Sequence, residues 1–248
     1  MKLIPLKVFN ILRGIFVLIY GRPSVGKTFF GGTADAPILF LHTGERGLRV
    51  LGERDDVWVF DIKDCASALT IFAEIGKDPE IHKKIKTIVV DSIHCLRDMK
   101  VQELGGIPNL KEWGIVSSFV LKCINYLIPL LDKGINIILI AHHKADDPQS
   151  KDKKKRYIPA GGESLAQMLA GRADVVGYMN KEEVQTFDPK TKKMLYKEEV
   201  VMHIDACEEY YCRARVDHRT HKIPKKIVNP VWNDLKKIFF NSNQGEKS

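Results

Sequence analysis

The chain has 248 residues, 44% hydrophobic and 28% charged, enough to bury the core of one α/β domain and too few to expect a second large one. Its 39 basic against 31 acidic residues give a formal charge of +8, which points either to an anionic partner or to solubility alone; the position of the charge has to decide. Five cysteines, Cys65, Cys95, Cys123, Cys207 and Cys212, form no C-x-x-C pair, so neither a zinc site nor a disulfide framework is indicated and a reducing cytoplasm is the expected setting.

At the N-terminus Lys2 and Lys7 flank apolar residues, but Arg13 interrupts the stretch and it runs straight into a strand, so no targeting signal is read there. Contiguous apolar runs fall far short of the ~20 residues that span a bilayer, and no membrane partner is expected. Ile15-Phe16-Val17-Leu18-Ile19-Tyr20 reads as a buried first strand. Directly after it come Gly21, Arg22, Pro23, Ser24, Val25, Gly26, Lys27 and Thr28, a complete G-x-x-x-x-G-K-T P-loop. Glycines at Gly21 and Gly26 let the backbone wrap a phosphate with its amides facing inward at a helix N-terminus. Lys27 would reach the β- and γ-phosphates and Thr28 would offer its hydroxyl to Mg²⁺, so ATP and Mg²⁺ are the expected ligands. The alternative, a chance glycine-rich turn, is disfavoured because strand, loop and following segment agree.

The helix from Lys27 is expected to stop at Gly31-Gly32. Further strands are expected near 37–42, 57–61, 86–91 and 135–141, with helices over 64–76 and 115–132. This alternation is that of β-α units feeding a mostly parallel sheet covered by helices on both faces. Over 171–215 the pattern changes to a strand at Val175–Met179, a polar turn at Asp188-Pro189-Lys190 and a strand at Glu199–Ile204, which would extend the sheet antiparallel on one side. A single α/β domain over 1–240 with a frayed polar tail at 241–248 is expected.

Ile88-Val89-Val90 would carry Asp91 to the carboxyl edge of the sheet, where it can hold the Mg²⁺ shell, with Ser92 assisting through water; an ordinary helix N-cap is the alternative. Glu45, in Leu41-His42-Thr43-Gly44-Glu45, ends the strand after the P-loop helix and could orient or deprotonate the attacking water, unless it is a surface glutamate in a turn. His142 closes Ile137–Ala141 and could hydrogen-bond the γ-phosphate, with His143 a competing candidate. Behind it lie Lys144, Lys151, Lys153, Lys154, Lys155, Arg156 and Tyr157 in an aperiodic polar segment. Such a run is usually a solvated face; leaving the nucleotide sensor directly, it also suits a loop that tracks a nucleic-acid backbone and stacks a base.

This order of parts resembles the RecA/RadA recombinase core over roughly residues 12 to 230. Leu41-His42-Thr43-Gly44-Glu45-Arg46-Gly47 is similar to the segment where that family places its glutamate, and Val89-Val90-Asp91-Ser92 matches the family's V-V-D-S strand end. His142 stands where the sensor strand usually ends in an amide residue, and Ala160-Gly161-Gly162-Glu163-Ser164-Leu165 matches the T-G-G-x-x-L helix start beyond the second DNA loop. The resemblance implies DNA loops at 97–113 and 144–160, and a cation reaching into a neighbouring subunit's ATP site: Val216-Asp217-His218-Arg219 resembles that late basic segment, with Arg219 in the final basic position and Asp217 where a lysine is often found. With no substantial domain before the P-loop strand or after residue 240, the chain is most similar to the small phage single-strand annealing proteins of the Sak type. The resemblance implies an ATPase, catalytic roles for Glu45, Asp91, His142 and Arg219, single-stranded DNA as partner, a homo-oligomeric ring or filament, and cooperation with a single-strand-binding protein. A helicase-like or loader ATPase, and a signalling or clock-type ATPase without DNA binding, are the competing functions.

Overall fold

Strand β1 (Phe16–Gly21) is buried at every position, and its side chains divide the molecule. Phe16, Leu18 and Tyr20 face one core cluster while Val17 and Ile19 face another, as the two-residue period of a strand requires. A strand covered on both faces needs an unbroken apolar run, which Phe16–Tyr20 supplies. The computed structural model describes residues 13–145, 157–159, 163–188, 193–205, 207, 209–216 and 223–240.

From β1 the chain enters helix α1 (Lys27–Gly32), strand β2 (Ile38–His42), a 3-10 turn over Arg46–Leu51 and strand β3 (Val57–Asp61). Helices α2 (Cys65–Lys77) and α3 (Pro79–Lys84) lead to β4 (Thr87–Asp91), and helices α4 (Ile93–Glu103) and α5 (Leu110–Leu127) to β5 (Asn136–Ala145). The rest comprises β6 (Tyr157–Pro159), α6 (Glu163–Arg172), β7 (Val175–Asp188), β8 (Lys193–His203), β9 (Arg213–Ala214), β10 (Lys226–Val228) and α7 (Trp232–Phe240). The strands order as β10-β8-β7-β1-β5-β4-β2-β3, with β6 on β5 and β9 on β7. Pairs from β7 through β3 along that path are parallel, and β8 and β10 are antiparallel additions. This is the expected architecture: a mostly parallel sheet flanked by helices, extended by antiparallel strands from the C-terminal part.

Helices α2, α4, α5 and α6 cover the Phe16 face; α1 and α7 cover the Val17 face. Helix α5 begins at Leu110, earlier than the expected 115, because Asn109 and Glu112 form a reciprocal capping box that satisfies the first free amides. It passes at Leu127 into a 3-10 turn over Ile128–Lys133. Leu110–Lys133 is long and apolar enough to cross a membrane by length and composition, which contiguous runs alone do not reveal. Its apolar stripe, including Val116, Val120, Ile124 and Leu127, is buried in the Phe16-face core. The loop expected over 97–113 is mostly helical: only 104–109 separates α4 from α5, and Arg97, paired with Asp98, lies 5.7 Å over the Trp113 ring.

Helix α1 stops at Gly32, as expected, with Gly31 and Gly32 inside its last turn. A methyl group at Gly31 would sit 3.1 Å from Val89 Cγ1, and one at Gly32 would collide with Leu51 Cδ2 at 2.2 Å. The absence of side chains lets the helix press onto the sheet and the 3-10 turn. On that same face Asp35 ties α7 to the sheet, accepting from Trp232 Nε1 at 3.0 Å, Lys236 Nζ at 2.9 Å and Asn136 Nδ2 at 3.2 Å. Trp232 is 1% exposed, with its ring 6.3 Å from that of Phe30 in α1. Trp232→Ala therefore opens a cavity under the P-loop helix and should cost about 3–5 kcal/mol in urea denaturation; an unchanged midpoint would mean that α7 does not brace this face.

Candidate functional site

Parallel register alone brings the predicted groups to one edge. Gly21 of β1 lies beside His142 of β5, and Asp91 of β4 beside His42 of β2 and Ile140 of β5. Each strand therefore delivers its last residue to the carboxyl end of the sheet, where open α/β sheets bind ligands. The cleft there has a volume of about 490 Å³ and is lined by Gly26, Lys27, Thr28, Glu45, His142 and the half-exposed Phe29 and Val50, among others.

The P-loop turns into α1 through Gly26, whose φ of 95° lies in the left-handed region that a side chain would strain. Arg22, Pro23 and Ser24 are exposed while Val25 anchors the loop in the core. Lys27 is 6% exposed and its ammonium donates to the carbonyls of Gly21 at 3.1 Å and Arg22 at 2.7 Å. Burial lowers its pKa to about 8, against the opposing pull of Glu45 and Asp91. An ammonium under that penalty gains from an incoming polyphosphate.

Thr28 Oγ1 donates to Asp91 Oδ2 at 2.7 Å. Asp91 is 1% exposed and its second oxygen, Oδ1, is buried without a hydrogen-bond partner. Burial raises the Asp91 pKa, opposed by the Thr28 bond. A buried, unpaired carboxylate oxygen beside a hydroxyl is the hard-oxygen donor set that Mg²⁺ takes with water and phosphate. Gly47 closes over this pair: a methyl group there would stand 2.7 Å from Thr28 Oγ1.

Glu45 follows β2 and accepts from Ser92 Oγ at 2.5 Å. His94 Nδ1 and His142 Nε2 each lie 3.3 Å from Glu45 Oε1. A carboxylate only accepts, so the Ser92 hydroxyl spends its proton on Glu45 and His94 Nδ1–H donates to Ser92 Oγ at 2.6 Å. Burial pushes the Glu45 pKa up, but the bonds from His142 and Ser92 and the charge of the imidazoles outweigh it and hold the group at about 2. Burial, then repulsion from His142, lowers His94 to about 4. Thr43 locks the arrangement: its hydroxyl donates to Ser92 O at 3.0 Å and accepts from Ser92 N at 2.8 Å. His42 also bonds the Glu45 carbonyl and pairs with Asp61 at 3.1 Å.

The structure thus brings Lys27, Thr28, Glu45, Asp91 and His142 together. It separates the two candidate histidines, as strand alternation requires: His142 faces Glu45, whereas His143 bonds Tyr178 Oη at 3.2 Å. Lys144 is exposed beyond them on β5, paired in register with Ile158 of β6. Lys151, Lys153, Lys154, Lys155, Arg156 and Arg219 lie outside the described residues, as does the side chain of Tyr157. Sequence reasoning missed His94, Thr43 and His42. His94 had a signal, an imidazole in the first turn after Asp91-Ser92; the roles of the other two depend on pairings across strands.

A P-loop lysine, a hydroxyl–aspartate pair at the sheet edge and a carboxylate across the cleft define the class, a P-loop nucleotide-binding domain. The chain belongs to the AAA domain family AAA_24, whose model matches residues 13–216. No curated protein matches it. Among solved structures, the crystal structure of the RadB recombinase is similar at a TM-score of 0.48 and 15% identity, covering 77% of this chain and 80% of that one.

The depressed Glu45 pKa has a signed consequence. The unfolded chain, with an ordinary carboxyl near 4.5, binds a proton before the folded one does at about 2, so Glu45 contributes stability above pH 4.5 that is lost as pH falls towards 2. Urea denaturation across that acid range should show a shallower decline for Glu45→Gln than for the native chain; parallel declines would contradict the hydrogen-bonded carboxylate.

Proposed function

We propose that this protein is an ATP-binding, Mg²⁺-dependent ATPase with a RecA-like core that couples nucleotide to a grip on single-stranded DNA, in annealing or recombination of the phage or mobile-element kind. The observation that carries the reading is the path from site to loop. His142 touches Glu45 inside the nucleotide cleft, and the same strand runs on through Lys144 into the segment bearing Lys151, Lys153, Lys154, Lys155 and Arg156.

The lysine and the P-loop amides bind the triphosphate, Glu45 holds the attacking water, and His142 registers the γ-phosphate. Mg²⁺, held by Thr28 and Asp91, supplies neutralisation of phosphate charge when bound. The basic segment meets the DNA backbone without reading sequence. Assembly into a ring or filament is supported by β3, an edge strand whose Trp58, Val59 and Phe60 are 39–48% exposed. Arg219 would complete a neighbour's site in such an assembly, and a single-strand-binding protein would present the DNA, in the cytoplasm of a host cell.

Lys27→Ala should abolish nucleotide binding or turnover. Glu45→Gln should leave ATP binding intact and slow hydrolysis by about 10²–10⁴-fold; normal hydrolysis would remove Glu45 from the chemistry. Filter binding to single-stranded DNA should strengthen with ATP and weaken steeply with salt. Neutralising Lys153, Lys154, Lys155 and Arg156 should flatten the salt slope by roughly 0.7 for each DNA phosphate that these cations neutralise in the native chain. Unchanged binding in that variant favours a signalling or interaction module, and strand separation on a forked duplex favours a helicase.

A further inference from the structure

The absence of paired cysteines argues against a thiolate zinc site, but cysteine spacing says nothing about what strand register brings together. Glu45, His94 and His142 come from the loop after β2, the first turn of α4 and the end of β5, and they converge. Their ligand atoms all lie within 4.8 Å of one another. Glu45 Oε1 stands 3.3 Å from both His94 Nδ1 and His142 Nε2, and the two rings pack tilted at 32° with 3.7 Å between centroids. Tetrahedral zinc with bonds of about 2.0–2.1 Å sets its ligand atoms roughly 3.3–3.4 Å apart. The two spacings from Glu45 therefore fit that polyhedron almost as they stand.

We propose that Glu45, His94 and His142 form a binding site for a transition-metal dication of the zinc class, distinct from the Mg²⁺ position at Thr28 and Asp91. Two imidazoles and one carboxylate are donors that zinc accepts and that Mg²⁺, which prefers oxygen alone, does not. Two protonated rings at this distance would repel; as metal ligands both are neutral, and each ring turns out of the present packing so that its lone pair points at the shared ion. Each binds through the nitrogen now facing Glu45, its proton moving to the other ring nitrogen. Ser92 keeps its bond to Glu45 and gives up the one to His94. The side chains are 13–26% exposed, so the ion is partly screened from water yet reachable. Glu45 and His142 are among the residues lining the cleft, so a remaining coordination position would be open to water from the cleft side.

Occupancy claims the Glu45 carboxylate, so zinc should inhibit hydrolysis without displacing nucleotide. That consequence rests on the water-holding role given to Glu45 above; the metal site does not. The test is competition for Zn²⁺ between a chromogenic chelator and the full-length, nucleotide-free chain. One ion should bind at this site, and His94→Gln and His142→Gln should each weaken it by more than the roughly 10–100-fold that loss of an outer partner costs. Lys27→Ala and Asp91→Asn should leave it unchanged. Co²⁺ in its place should give the visible bands of a tetrahedral ion, lost in both histidine variants. Should either variant fail to fold by circular dichroism, the other decides. No zinc binding by the native chain, or zinc retained undiminished by the histidine variants, overturns the site. Zinc bound as expected with hydrolysis unimpaired instead removes Glu45 from the chemistry and leaves the metal site standing.

Discussion

The Glu45 carboxylate is where this fold's separate parts meet. Its Oε1 is approached by Ser92 and His94 from the turn after β4 and by His142 from β5, while its backbone carbonyl is bonded by His42 of β2. A carboxylate drawn partly out of water is costly unless donors replace the lost hydration. Two donors, Ser92 and His142, do so with His94 close by, and the lowered pKa is their signature. That acidity narrows the chemistry. A carboxylate held that far down is a weak proton acceptor at neutral pH, so the water-holding role proposed for Glu45 would be one of alignment rather than of outright proton removal.

The phosphate-binding end of the cleft is held by different means. Helix α1 is only six residues long, far below the length at which a helix is stable alone. It persists because Phe30 is buried against Trp232 and because Gly31 and Gly32 permit contact with Val89 and Leu51. The hydrogen bond from Thr28 to Asp91 then fixes its first turn to β4. The C-terminal helix α7, remote from the P-loop in sequence, is therefore part of the nucleotide site's foundation through Trp232, and Asp35 is the joint that seats it.

Much of this was legible beforehand because it is local. A P-loop is a contiguous pattern, and the buried strands around Phe16–Tyr20 and Ile88–Val90 are contiguous apolar runs, so β1, β4 and the positions of Lys27, Thr28 and Asp91 follow from spacing. The antiparallel pair of β7 and β8 was expected from two short apolar segments, Val175–Met179 and Glu199–Ile204, around a polar turn, but the strands run on to Asp188 and back from Lys193, so most of the hairpin's length was not foreseen. What escaped was either a reciprocal side-chain signal or a contact across the fold. The Asn109–Glu112 box that starts α5 five residues early is of the first kind. The second kind includes His94, whose partners gather only once β4 and β5 are neighbours, and α7, whose docking uses Asp35, 197 residues away from Trp232, together with Thr33. Gly31 and Gly32 mark the end of α1 as their low helix propensity implies, but their second role, admitting Val89 and Leu51 at close range, was not legible from propensity.

Strand β5 shows why the histidine pair sits at a mechanically special place. Its ladder with β4 ends at Ile140 and its ladder with β1 ends at His142, beyond which its ladder partner is β6. Up to Ile140 the strand is laddered on both sides by the centre of the sheet, and to His142 on the β1 side alone, with buried Ile137–Ala141 in its core. Past His142, the backbone leaves those ladders and leads towards the basic segment. A force on His142 therefore acts at the boundary between the rigid and the released part of one strand, where the same force on Asp91 would meet a residue laddered to both β2 and β5. A ligand of the kind proposed above that changes what His142 bonds would bear on a strand from which the chain runs on in sequence to the basic segment.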